Sequence, residues 1–361
     1  MNVATGLAKS HHADPQIIVN AVAKAIEKIG LSSVNGVLLY LTPELMPHLA
    51  VALKRVATLT QCTQIMGCLA TGVFTEEDWV LDCPAAAAMV FGGDIHINLA
   101  NRKNSEMPTL TLLSPSGVFY KPFKPNAIHY GGIAGDVNGQ GKYATWQNAK
   151  GELTNQVEAY FSGVQSSIGL AHGLTILSPI RQVTKVFNFD LILVGGINAH
   201  VDLANTLNTL KLLNTPLHLL SVLYAKDQQS FHQGHFDQTS IISIDALTGY
   251  VTLANRLSTD YFICWAVREI NPVAIEINSL TKQFCDQHHL SKPAFALLFS
   301  SISRGPFSDG IDHDLVQIKK QLPEMPFIGF YGNATIANIY NQNPILSHSI
   351  VINLMSEKLL P

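Results

Sequence analysis

Two stretches decide the fold: Met66-Gly67-Cys68-Leu69-Ala70-Thr71-Gly72-Val73 and Phe327-Ile328-Gly329-Phe330-Tyr331-Gly332-Asn333-Ala334-Thr335. Each is a short apolar run interrupted by a glycine, with two bulky residues after the glycine and an Ala-Thr pair a little further on. Runs of this length bounded by small-residue corners read as buried strands. Their surroundings repeat as well. Before the first come a buried strand at Gly36–Leu41 and an amphipathic helix at 44–59, and after it a strand at Ala85–Phe91. Before the second come a strand at 294–299 and a helix at 312–322, and after it a strand at 349–354. Gly67 precedes Met89 by 22 residues, and Gly329 precedes Val351 by the same 22. The order strand, helix, strand with a glycine corner, strand thus occurs twice. It predicts two related α/β halves with a cleft between them, a common place for small-molecule sites.

Working outward, Asp14-Pro15 reads as an N-cap followed by a first-turn proline, where the missing N–H costs nothing. Ile18, Val22, Ala25, Ile26 and Ile29 recur at helical spacing until Gly30 stops them. The segment 95–99 is expected to continue the sheet of Ala85–Phe91. The segment 108–123 reads as a hairpin broken at Ser114-Pro115-Ser116-Gly117, and 130–141 as a glycine-rich loop. Short strands at 217–224, 239–244 and Tyr250–Leu253 open a block of antiparallel strands, and 272–288 reads as a helix. Because several strands are joined by turns rather than helices, the sheets are expected to be mixed. The predicted class is α/β (α+β): two related domains with mixed, largely antiparallel sheets flanked by helices, divided as 1–215 and 216–361.

Composition narrows the function. The chain has 361 residues, 47% of them hydrophobic, which is ample for a large core and excludes a disordered chain. Only 14% are charged, against about 25% in an average soluble domain. Some apolar surface is therefore expected to meet a partner or a second copy. A net charge of −3 leaves no basic footprint for nucleic acid. The first twelve residues lack the apolar core of a secretory signal, and no apolar run approaches the roughly 20 residues that span a bilayer. The five cysteines contain no CxxC pair. These features together predict a reducing, cytoplasmic setting.

No standard catalytic motif is present: no GxSxG, no HExxH, no P-loop. Gly131-Gly132-Ile133-Ala134-Gly135 misses the GxGxxG spacing and reads as turns, with Asp136 as the loop's one charge. His232-x-x-His235 with Asp237 has the residue types of a metal site but no third histidine at a supporting spacing, so neither metal nor cofactor is expected. Asp309-Gly310-Ile311-Asp312-His313-Asp314 lacks the terminal Glu of a calcium loop and reads as a helix start. The polar cluster Ser300-Ser301-Ile302-Ser303-Arg304 follows directly on a buried strand. There Arg304 either forks onto a ligand carboxylate or phosphate, or ties a loop through carbonyls.

With these motifs in place, the chain resembles the FIST family, the paired N- and C-terminal sensory domains of intracellular signal-transduction proteins and some F-box proteins. The resemblance rests on Met66 through Val73, the strand at 85–90, Gly135-Asp136, Leu297-Leu298-Phe299-Ser300, Arg304-Gly305 and Phe327 through Asn333. It covers roughly residues 15 to 355. Two departures from the family pattern stand out: Ser301 stands where a cysteine is common, and Ala334-Thr335 where Gly-Glu is common. The resemblance implies a sensor that binds a small ligand, an amino acid or related metabolite, and signals through a separate protein partner. The candidate ligand residues are Arg304, Ser300 and Asn333 from one domain and Thr71 and Asp136 from the other. Arg304 would pair an anionic group while the hydroxyls and amide fix orientation. Two alternatives stand beside this reading: a protein–protein interaction module without a small ligand, and an enzyme using Cys68 or Ser300 as nucleophile.

Overall fold

The computed structural model describes residues 2–30, 33–100, 107–119, 123, 127–136, 141–232, 236–269, 271–288, 292–306, 310–338, 343 and 345–358. The chain divides into two compact units, 1–171 with 274–361, and 172–273. The expected division between 215 and 216 falls inside the second of these.

In the larger unit, β1 (Val3–Lys9) leads into α1 (Pro15–Ile29). Asp14 Oδ1 accepts from the Gln16 N–H at 2.6 Å, and Gly30, at φ 62°, closes the helix in the left-handed region. Its buried stripe of Ile17, Ile18, Ala21, Val22, Ala25 and Ile29 lies on the sheet behind it. Each large aliphatic so buried contributes about 1.5–3 kcal/mol. After β2 (Gly36–Leu41), the helix expected at 44–59 is split into a 3-10 turn, Pro43–His48, and α2, Leu49–Thr60. Pro47 is the reason: it supplies no N–H and its ring crowds the preceding turn. Then come β3 (Ile65–Leu69), β4 (Gly72–Thr75), β5 (Ala85–Phe91), β6 (His96–Leu99), β7 (Thr109–Leu113), β8 (His129–Ile133), β9 (Thr145–Gln147), β10 (Gln156–Ser162) and β11 (Val164–Ala171). After residues 172–273 the unit resumes with α3 (Asn271–Gln287), β12 (Phe295–Ser301), α4 (His313–Gln321), β13 (Phe327–Gly332), β14 (Ala334–Ile336) and β15 (Ile350–Glu357).

The repeat read from sequence is present in the strand order. One sheet runs β1-β5-β2-β3-β9, ending on Glu152–Thr154; a second runs β11-β15-β12-β13-β4, ending on Trp79–Val80. In both, the pair flanking the inner helix is parallel, β2 with β3 and β12 with β13, and every other pairing is antiparallel. The registers match around the two glycines: Gly67 faces Leu39, which faces Ala88, and Gly329 faces Leu298, which faces Ile352. The equal spacing to Met89 and Val351 is thus one residue off on each side. Both glycines are there for close approach. A Cβ on Gly67 would sit 1.7 Å from the Leu39 carbonyl oxygen, and one on Gly329 2.3 Å from that of Leu298.

The two halves do not stand apart across a cleft; they share one core. Tyr40 meets Phe330 with ring centroids 5.0 Å apart, and Phe91 meets Phe295 at 5.8 Å. A third sheet, β14-β8-β7-β10-β6 with Ile345–Leu346 at its edge, packs on the same core through Tyr130, Phe161 and Leu110. Each half lends a strand elsewhere: β4 pairs with β13, and β14 pairs with β8. Three expectations are corrected by this third sheet. The segment after Gly92-Gly93 pairs with β10 instead of continuing the first sheet. Residues 109–113 form a strand parallel to β8 and antiparallel to β10, not a hairpin arm. The supposed loop at 130–141 begins as a buried strand, in which Gly131, at φ 146°, lets β8 approach the Thr111 carbonyl; residues 137–140 lie outside the described residues.

The smaller unit is an antiparallel barrel. Strands Phe262–Arg268, Arg181–Phe187, Asp190–Val194, Tyr250–Leu253, Asp237–Asp245 and Leu220–Ala225 follow one another in the sheet, and the last pairs back to the first. Closure removes the exposed edges an open sheet would present. Helix Ala199–Thr209 contributes Ala199, Leu203 and Leu207 to its core. Buried Asp202 ties that helix in, accepting from Arg181 Nη1 at 2.9 Å and Trp265 Nε1 at 2.8 Å.

Candidate functional site

Thr71 and Asn333 occupy equivalent places in the two halves, each four residues after its glycine. Between them runs the chain leaving β8. Thr71 Oγ1 donates to the Gly135 carbonyl at 2.7 Å, and Asn333 Nδ2 donates to the Asp136 carbonyl at 2.8 Å. The Asn333 N–H donates to Ile133 and the Thr71 N–H to Tyr331. The structure places Thr71 and Asn333 on either side of the Gly135-Asp136 segment, joined to it through main-chain carbonyls. Ser300 is buried at the end of β12, its hydroxyl donating to the neighbouring Ser301 carbonyl at 3.4 Å. Ser301 Oγ reaches the Asn333 carbonyl at 3.4 Å and Ser303 Oγ at 2.7 Å.

Arg304 is fully buried, and its fork is filled by the protein itself. Nε and Nη2 donate to the two carboxylate oxygens of Asp314 at 2.5 and 3.2 Å, and Nη1 donates to the His348 carbonyl at 3.3 Å. The guanidinium expected to meet an anionic ligand group meets the first turn of α4. Asp312, at the start of the same helix, caps the Leu315 N–H at 3.0 Å and accepts from the Tyr331 hydroxyl. Burial, and then the Asp312 charge, push that hydroxyl well up. This is a bracing network around the carboxyl ends of β12 and β13.

The nucleophile candidates gain no activation. Cys68 is completely buried on β3, and burial pushes its thiol well up, whereas a reactive cysteine needs a lowered value and access. Of the residues considered for metals, His235 and Asp309 lie outside the described residues.

A different group of polar side chains, not singled out from sequence, surrounds a cavity of about 360 Å³ in the larger unit. Asn353 and Met355 of β15 and Val164 through Ser166 of β11 line it from one sheet, Tyr130 of β8 and Phe161 of β10 from another. Half-buried His288, just past α3, and exposed Lys358 complete the wall. Asn353 is 1% exposed, and neither its Oδ1 nor its Nδ2 has a hydrogen-bond partner. The Tyr130 hydroxyl lies alongside; burial pushes it up, and the Asn353 amide acts in the opposite sense. Deeper in the same core the Tyr40 hydroxyl is also buried without a partner, raised by burial and then by its neighbours Cys68 and Tyr130.

Alternation along β15 explains how Asn353 comes to be there. Val351, Asn353 and Met355 share one face, and Val351 and Met355 belong to the shared core. The signal in the sequence was an amide in the middle of Ile350-Val351-Ile352-Asn353-Leu354-Met355. Leaving a buried amide unbonded costs about 1–3 kcal/mol, and folded proteins keep few such groups without a use. A larger, open groove of about 620 Å³ runs beside the Pro43–His48 turn. None of its lining side chains is a buried polar group lacking a partner.

A chain built from a doubled strand–helix motif around a shared three-sheet core, with a closed barrel inserted in its second half, is what the fold defines. No protein-family model matches this chain, and no curated protein is similar to it. Among the described residues, no helix is long and apolar enough to cross a membrane.

Proposed function

We propose that the chain is a small-molecule-binding sensory protein of the FIST type, cytoplasmic, signalling through a separate protein partner, with its ligand held in the Asn353 cavity. One observation carries this reading: an amide with neither end in a hydrogen bond of ordinary geometry, buried on the wall of a cavity of metabolite size. A cavity at the lower end of the usual range for small-molecule sites suits a metabolite. The ligand would supply the hydrogen bonds the fold withholds, which makes the empty site costly and the filled one stable. Nucleophilic chemistry at Cys68 or Ser300 has less support, since both are buried and neither is hydrogen-bonded to a base in the contacts described above.

The test is a broad thermal-shift screen of metabolites on wild type and Asn353→Leu. The variant removes the stranded amide at similar volume, so it is expected to raise the apo melting temperature by a few degrees. It is also expected to erase the shift given by any true ligand. A variant that melts lower than wild type and keeps its ligand shifts would overturn the reading.

A further inference from the structure

We infer that the cavity takes a small anion whose buried end carries a planar edge with a donor beside an acceptor, such as a carboxamide, lactam or nucleobase edge. This rests on the ligand-binding reading above and specifies its chemistry. The edge follows from Asn353. Its carbonyl oxygen accepts and its NH₂ donates in one plane, and neither makes a hydrogen bond of ordinary geometry, the Tyr130 hydroxyl being the one neighbour that draws on the NH₂. A ligand that pairs both needs complementary groups side by side, as an adenine does for an asparagine in a DNA groove. A buried polar group left unpaired discriminates sharply against ligands that lack the partner, so the edge is the selective element. Tyr130, alongside the amide, offers one further hydroxyl.

The body of the ligand follows from the walls, where Phe161, Met355 and Pro108 are apolar and favour a flat ring or short chain. The anion follows from charge. Among the described residues lining the cavity are Lys358 and His288 but no carboxylate. A free amine would therefore find no counter-charge, while a carboxylate near Lys358 would. Lys358 is exposed, so its pull is modest and weakened by salt.

Four probes separate these elements by calorimetry on the full chain: 4-carbamoylbenzoate (edge and anion), benzamide (edge alone), benzoate (anion alone) and benzamidine (cation). The expected order has 4-carbamoylbenzoate binding at least tenfold tighter than benzoate, benzamide in between, and no binding of benzamidine. Asn353→Leu is expected to bring 4-carbamoylbenzoate and benzoate to within about twofold of each other. Lys358→Gln is expected to weaken 4-carbamoylbenzoate a few-fold and to remove most of its salt dependence. Equal or tighter binding of benzamidine, or an edge preference that survives Asn353→Leu, overturns the assignment. If all four probes fail while another metabolite binds in an Asn353-dependent way, the ligand class falls and the binding site stands. If no compound depends on Asn353, both fall.

Discussion

Replacing Arg304 by methionine should destabilise the larger unit by about 3–4 kcal/mol. Methionine fills much of the volume, so the loss is electrostatic. Asp314, its side chain only 5% exposed, would lose the two guanidinium donors, and the His348 carbonyl would lose one. Stranding one partner of a buried pair costs about 3–5 kcal/mol. Asp314 sits in the first turn of α4, and the positive end of the helix returns up to about 1 kcal/mol of that. At about 2–4 °C per kcal/mol for a unit of this size, the melting temperature should fall by about 6–16 °C. Urea denaturation followed by tryptophan fluorescence, with Trp146 in the larger unit as reporter, measures it directly. Arg304→Met with Asp314→Leu should recover most of the loss, because an apolar pair of similar volume replaces a buried ion pair at little net cost. A single variant within about 1 kcal/mol of wild type, or a double variant no better than the single, would refute the bracing role. A fully stable Arg304→Met that had lost ligand binding would return Arg304 to the role of anion clamp.

Gly329→Ala should cost about 3 kcal/mol or more, since its Cβ would meet the Leu298 carbonyl and two Phe74 ring carbons at 2.3 Å; a chemically denatured midpoint close to wild type would contradict the close approach. A thiol reagent at pH 7.5 should label the partly exposed Cys83 and Cys285 in the native protein, while Cys62, Cys68 and Cys264 react only on unfolding. Burial pushes the Cys68 thiol well up and that of Cys264 up to about 12; rapid stoichiometric labelling of Cys68, read by peptide mass, would revive the nucleophile reading. Lys9 and Asp78 form a half-exposed pair at 2.8 Å. Burial works to raise the Asp78 carboxyl, but the Lys9 ammonium and the Trp79 N–H hold it below its usual 3.8 on balance. Its contribution is therefore present above about pH 4 and lost as pH falls through the lowered folded value. The hydrogen bond from Lys9 to Asp78 raises the lysine above its usual 10.5, so that part is present below about pH 10 and lost as pH rises through the raised value. Asp78→Asn should cost under about 1 kcal/mol at pH 7 and flatten the acid limb of stability against pH; a loss of several kcal/mol would refute the solvent-screened reading.

Much of the framework was legible in the chain. The caps at Asp14 and Asp312 and the stop at Gly30 are local signals, and each does in the structure what its chemistry suggested. The doubled glycine corner was legible because close approach between parallel neighbours demands glycine in both halves. The helix split at Pro47 shows the opposite case, in which an apolar stripe outweighed a proline that was plainly visible. At the candidate site, Arg304, Ser300, Asn333, Thr71 and Asp136 stand out in the sequence by their chemistry. Four of them carry hydrogen bonds that brace loops and a helix, and Asp136 takes part through its carbonyl. Asn353 carries no such local signal: one amide in an apolar strand acquires meaning only when its face is known.

By itself the sequence determined the α+β class, the twofold recurrence of a strand–helix–strand unit and the helix caps at Asp14, Gly30 and Asp312. These depend on periodicity and on side chains within a few residues of one another, and both are written along the chain. Only the tertiary structure decided which sheet each strand joins, that β4 and β14 cross to other sheets, and that the halves share one core. It alone showed that Arg304 is occupied by Asp314 and that Asn353 has no more than the Tyr130 hydroxyl beside it. Pairing and satisfaction of polar groups are settled between residues far apart in sequence, such as Tyr130 and Asn353. Whether a polar group is braced or available is therefore a property of the packed molecule, not of the chain.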